Sequence, residues 1–142
     1  MCVWQLMGLK FKNKPLRSCT VSTGGGMLGG HSEIKVFRDG DGDGTLQISR
    51  AETHADPVQT SEYPVPAEVF DKLSEMAYQY ALYGASTRRM SRIELLDGDT
   101  TSVSFCYDNG DFRVRQLQRM TRRMSKGYCA VINYMNSLPK GN

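Results

Sequence analysis

The chain has 142 residues, a common size for one domain, and its hydrophobic and charged fractions, 39% and 23%, exclude a disordered protein. Its 18 Lys and Arg residues exceed its 15 Asp and Glu residues by three, too even a balance for a solvating tail. No apolar run approaches the roughly 18 residues that a transmembrane helix needs, so no membrane partner is predicted.

Alternating polar and apolar residues predict three strands in the first third of the chain. The strands lie at 16–23, 31–39 and around 46–48. A glycine-rich stretch, 24–30, separates the first two, and the turn Asp39–Gly44 separates the last two. Three prolines between residues 56 and 66 favour an irregular connector in that segment.

The second half of the chain predicts two helices with strands between them. Apolar residues at helical spacing predict the first helix from Pro66 to just before Gly84. Ser125 is the predicted N-cap of a final helix, whose apolar stripe runs to Leu138. Three alternating segments between the helices are predicted as strands at 92–96, 101–107 and 112–116, with hairpin turns at Asp97-Gly98 and Asn109-Gly110.

The predicted order is therefore β-β-β-α-β-β-β-α. It indicates an α+β fold with a mainly antiparallel sheet of about six strands, helices on one face and solvent on the other. Residues 1–15 are predicted to form a basic N-terminal arm, and residues 16–142 a single domain. The halves 16–83 and 90–139 are compatible with a duplicated βββα unit.

The turn residues also carry a resemblance. Thr23-Gly24-Gly25-Gly26-Met27, with the two later hairpin turns, resembles a loose group of small, uncharacterised bacterial α+β proteins. The resemblance extends over most of residues 16–138. It implies the same α+β fold and, because the group has no known activity, it implies no site.

Catalytic chemistry is poorly represented. His31 and His54 lie near no nucleophile motif, and the paired acids of the first helix are predicted on its solvent side. Those acids are Glu68, Asp71 and Glu75. The sequence therefore predicts a non-enzymatic protein without a bound cofactor.

The cysteines and the N-terminus predict a cytoplasmic protein. Cys2, Cys19, Cys106 and Cys129 are too far apart in sequence for a zinc or redox C-x-x-C pair. Cys19 and Cys129 fall within apolar patterns, which predicts thiols packed as small hydrophobes, and Cys2 is the predicted reactive thiol. The apolar N-terminal residues precede the first lysines, the reverse of the order in a secretory signal.

The turn after the second strand resembles the start of a calcium loop. Asp39, Asp41 and Asp43 match its first three carboxylate positions, and Gly44 matches its glycine. Arg50 stands where a bidentate glutamate would complete the site, and the predicted flanks are strands instead of helices. The alternatives are a calcium-binding module and a solvated hairpin turn.

Charge is distributed unevenly. Residues 1–17 carry +4, residues 18–87 carry −6 and residues 88–142 carry +5, and no acidic side chain follows Asp111. Guanidinium groups in a cluster repel one another unless an anion neutralises them, and their planar fork fits phosphate and carboxylate. The candidate binding residues are Arg113, Arg115, Arg119, Arg122, Arg123 and Lys126.

The leading prediction is a binding protein that engages a nucleic acid or a ribonucleoprotein through this basic surface. The first alternative is an adaptor or an inhibitor of a defence nuclease, anti-CRISPR-like, that binds an acidic protein surface. The second is the calcium module. A third interpretation has the acidic segment 18–87 neutralising the cluster internally. Tyr63, Tyr78, Tyr83 and Tyr107 are candidates for base stacking beside the arginines.

Overall fold

Six strands and three helices form the regular structure of the computed structural model, which describes residues 15–24, 31–40, 42–51, 59–85, 100–108, 110–115 and 120–138. The strands are β1 (Leu16–Gly24), β2 (His31–Phe37), β3 (Gly44–Ala51), β4 (Gln59–Val65), β5 (Thr100–Tyr107) and β6 (Gly110–Arg115). The helices are α1 (Ala67–Gln79), α2 (Leu82–Ala85) and α3 (Arg122–Ser137). The strands make one antiparallel sheet in the order β4-β3-β2-β1-β5-β6.

One face of the sheet forms the core. Cys19 on β1 lies between Val36 on β2 and Phe105 on β5, and all three side chains are fully buried. Burying a side chain of valine or phenylalanine size contributes about 1.5 to 3 kcal/mol. Because side chains alternate along a strand, the residues between these face the other way.

Helices α1 and α3 pack on this face as an antiparallel pair. At one end Tyr80, after α1, lies against Gly127 in α3. At the other, burial and the nearby Glu68 raise the pKa of Tyr134. Ala81, with φ of 54°, separates α1 from α2. The buried residues of α1 are Val69, Phe70, Leu73, Met76 and Ala77.

The predicted α+β fold, with helices on one face of an antiparallel sheet, is confirmed. The irregular connector predicted at 56–66 is wrong, because residues 59–65 pair with β3 as β4. Pro64 is tolerated there because β4 is a border strand of the described sheet, where a missing N–H need not break a ladder. The first helix is also shorter than predicted and ends at Gln79.

The predicted N-cap of the last helix is wrong as well. Thr121 is the N-cap, and its Oγ1 accepts a hydrogen bond from the Met124 N–H at 3.2 Å. The last helix therefore begins at Arg122 rather than after Ser125. The predicted strand 92–96 and residues 1–14 of the N-terminal arm lie outside the described residues. Within the described ranges, no helix has the length and apolar character needed to cross a membrane.

Of the predictions about the cysteines, one is confirmed and one is wrong. Cys19 is buried in the core as predicted, and burial raises the pKa of its thiol. Cys129 is exposed, so its predicted burial is wrong. It lies next to the buried Tyr128, on the solvent side of α3. Cys2 lies outside the described residues.

Candidate functional site

No described element covers the second face of the sheet, whose centre is lined with hydroxyl groups. Thr20 and Ser22 on β1 lie opposite Ser104 and Ser102 on β5, and neighbouring strands are about 4.8 Å apart. These four half-buried residues are here called the hydroxyl row. Sequence reasoning missed it, although hydroxyl residues recur at every second position in both strands.

Strand β6 borders the hydroxyl row and places two arginines beside it. Arg113 lies opposite Ser104 and Arg115 opposite Ser102. The Arg113 Nε donates to the Ser104 Oγ at 2.9 Å, which holds that guanidinium against the sheet. Both arginines are exposed and alternate with buried residues, so they lie where the sequence alternation places them.

The first two turns of α3 hold two more cations of the predicted cluster. Arg122 and Lys126 are both exposed, and their spacing places them one turn apart on one side of the helix. Among the described residues, neither is paired with a carboxylate. Cations near the N-terminus of a helix are electrostatically unfavourable. These two charges therefore oppose helix stability unless an anion neutralises them.

Arg123 has a different role from its neighbours. Its Nε donates to the Gln79 carbonyl oxygen at 2.7 Å, and its Nη2 contacts the same oxygen. That carbonyl lies at the C-terminal end of α1, where orphan acceptors need donors and a cation is favourable. Arg123, predicted as a binding residue, thus holds α3 to α1. Arg119 lies outside the described residues.

Arg113, Arg115, Arg122 and Lys126 are here called the basic edge. Helix α2 packs against both β6 and α3, and so connects the two elements that hold these residues. Seven residue steps separate Arg115 from Arg122, which limits their Cα atoms to about 25 Å apart. Arg113 and Arg115 project from the uncovered face of the sheet, and Arg122 and Lys126 lie on the helix that packs on its other face, so the basic edge includes both layers of the fold.

In the described ranges, the acidic segment 18–87 forms no ion pair with Arg122 or Lys126, so it does not neutralise these two cations by direct contact. Arg17 forms an ion pair with Asp108 at 2.7 Å, outside the acidic segment, and hydrogen bonds from Arg17 hold the pKa of Asp108 below its usual value. The predicted solvent face of α1 is exposed at all three of its acids. They are Glu68, Asp71 and Glu75.

The acidic turn is used by the fold. The Asp43 Oδ1 accepts a hydrogen bond from the Ala67 N–H at 3.0 Å. Pro66, the N-cap of α1, provides no side-chain acceptor, so Asp43 supplies the missing one from another part of the chain. Asp39 is exposed and Asp41 lies outside the described residues. Calcium binding stays a prediction.

Replacing Asp43 with alanine is expected to lower the free energy of unfolding by about 1 kcal/mol, the usual worth of a helix N-cap. The measurement is urea unfolding in chelator, with Asp39→Ala as the control because that side chain is exposed in the same turn. Equal stability of the two variants would contradict the capping role. Calorimetry of the wild type with added calcium tests the calcium module in the same preparation.

The four candidate tyrosines do not share one environment. Tyr107 is buried and its hydroxyl lies 3.0 Å from the Ser74 Oγ, so it is unavailable for stacking. Tyr83 is buried as well, whereas Tyr63 and Tyr78 are 40% and 41% exposed. Only the last two of these four rings can therefore meet a ligand.

A cleft of about 230 Å³ lies between α3 and the neighbouring ends of β1, β2 and β5. The Tyr128 hydroxyl donates to the Thr101 carbonyl oxygen beside it at 2.9 Å, and burial raises the pKa of Tyr128 to about 12. None of the described side chains that line the cleft is charged, so they do not suit a polyanion. The lining residues are Val21, Thr23, Ser32, Ile34, Thr101, Tyr128, Ile132 and Asn136.

The chain matches no protein-family model, and it has no significant match among curated proteins.

Proposed function

We propose that this protein is a non-enzymatic binding protein whose basic edge engages the phosphate backbone of a nucleic acid. The observation that carries the proposal is the exposure of Arg122 and Lys126 without a carboxylate partner among the described residues. Arg113 and Arg115 add two exposed cations on β6. Beyond Asp111 the sequence has seven Lys and Arg residues and no acidic side chain.

The hydroxyl row supports phosphate rather than base recognition. Serine and threonine hydroxyls and arginine side chains supply many of the hydrogen bonds that proteins make to phosphate and sugar. The row lies directly beside Arg113 and Arg115 in the strand register. Binding is favoured over catalysis because arginine stays protonated and cannot act as a general base.

The test is fluorescence anisotropy with labelled mixed-sequence RNA and DNA at several salt concentrations. Four phosphate contacts to a single strand predict a slope of log K against log salt of about −3, and Arg122→Gln/Lys126→Gln should reduce that slope by about 1.4. Arg123 is left intact because of its contact with Gln79.

The matched control is Arg50→Gln/Lys72→Gln, which removes the same charge from exposed positions on β3 and α1. This control is expected to keep the wild-type slope. Equal slopes for both double variants, or flat titrations of the wild type at low salt, would overturn the proposal. Flat titrations would favour the alternative in which the partner is a protein, as for an adaptor or an anti-CRISPR-like inhibitor. Affinity purification with acidic protein partners would then test that alternative.

A further inference from the structure

Tyr78 is an exposed aromatic residue at the end of α1 that adjoins α3. Its side chain is 41% exposed near the C-terminal end of α1. The ring lies 5.7 Å from the ring of the buried Tyr83, at an interplanar angle of 41°. Tyr83 thus supports Tyr78 from within, and the remaining surface of the Tyr78 ring faces solvent.

The contacts of the neighbouring residues place Tyr78 near the first turn of α3. The next residue, Gln79, accepts the hydrogen bond from Arg123 in the first turn of α3. Tyr83 belongs to α2, which packs against both β6 and α3. The other exposed ring, Tyr63, lies on β4 at the opposite border of the described sheet from β6.

We infer that Tyr78 stacks on a base of a single-stranded nucleic acid whose phosphates contact the basic edge. The inference rests on the proposed function and adds the class of ligand. Every base has a π-face, so an aromatic side chain beside cations binds single strands with little sequence preference. In a duplex those faces are covered by neighbouring base pairs, so the stacking contribution is lost.

Charge around Tyr78 also restricts the path of the strand. Glu75 and Asp71 are exposed on the preceding turns of α1 and would repel a phosphate backbone that followed that helix. Arg122 and Lys126 lie on the neighbouring helix. The strand is therefore expected to leave Tyr78 toward the start of α3, not along α1.

The test compares Tyr78→Ser with Tyr63→Ser, because the two rings are equally exposed. The probes are labelled oligothymidine, a duplex of the same length and an abasic oligonucleotide. Stacking of one base is worth about 1 to 3 kcal/mol, so Tyr78→Ser should weaken oligothymidine binding at least about 5-fold. The salt slope should not change, since no charge is removed. Tyr63→Ser should bind like the wild type.

The abasic oligonucleotide should bind wild type and Tyr78→Ser equally, and Tyr78→Phe should retain full affinity for oligothymidine. Tyr78→Leu serves as the second variant because leucine preserves an apolar contact with Tyr83 while removing the ring. If Tyr78→Leu binds oligothymidine like the wild type while Arg122→Gln/Lys126→Gln does not, stacking is overturned and the proposed function stands. If the wild type binds neither oligothymidine nor duplex at low salt, both fail.

Discussion

Replacing Arg38 with methionine is expected to lower the free energy of unfolding by about 3 kcal/mol. Arg38 follows β2, and its side chain is only 8% exposed. Its Nε donates to the Leu16 carbonyl oxygen at 2.9 Å and its Nη1 to the Gly42 carbonyl oxygen at 3.1 Å. The guanidinium carbon lies 4.3 Å from the centre of the Phe70 ring. Methionine preserves much of the packing but leaves the buried Leu16 carbonyl without this donor.

Urea unfolding followed by circular dichroism measures the loss. Arg38→Lys should give an intermediate loss, because an ammonium group keeps the charge but lacks the fork that reaches two carbonyls. Arg50→Met is the control, since Arg50 is exposed on β3, and it should change stability by less than about 0.5 kcal/mol. Equal stability of Arg38→Met and Arg50→Met would contradict the expected role of Arg38.

Most of the sheet was predictable because hydrophobic alternation is a local signal. In β6 the exposed arginines alternate with the buried Phe112 and Val114, and Gly110 pairs with Tyr107 of β5, next to the predicted hairpin turn. Strand β4 has no such signal, since it is exposed at every position except Val65. Residues 59–65 form a strand because they pair with β3, and no pattern within those residues predicts that pairing.

The candidate site was predictable only as a concentration of charge. A charged side chain that bonds within the fold often does so to a partner far away in sequence. Arg123 bonds to a carbonyl 44 residues earlier, and Asp43 to an N–H 24 residues later. Arg17 and Asp108 are 91 residues apart. No local pattern separates such residues from Arg122 or Lys126, whose exposure follows from the packing of α3.

Three arginines, Arg17, Arg38 and Arg123, bond to other parts of the fold and are therefore not counted in the basic edge. Arg17 joins the start of β1 to Asp108, Arg38 joins the start of β1 to the turn before β3, and Arg123 joins α1 to α3. Removing any of them would change the fold as well as the surface charge. A binding test based on Arg122 and Lys126 changes charge at exposed positions alone.

Gly127→Ala is expected to lower the free energy of unfolding by about 2 kcal/mol, although alanine favours a helix by about 1 kcal/mol over glycine. A Cβ atom at position 127 would overlap the Cβ and ring atoms of Tyr80. The overlap arises because α1 and α3 approach each other at this point. Tyr80 cannot simply rotate away, since its own Cβ is among the overlapped atoms.

The sign of the effect should reverse in a Tyr80→Gly background. That substitution removes the overlapped atoms, so alanine at position 127 then contributes only its helix propensity, up to about 1 kcal/mol of stabilisation. A double-mutant cycle by urea unfolding measures the coupling, and an equal loss in both backgrounds would contradict it. Because Gly127 lies one turn after Arg123, this contact and the Arg123–Gln79 bond together fix where α3 begins. The positions of Arg122 and Lys126 depend on both.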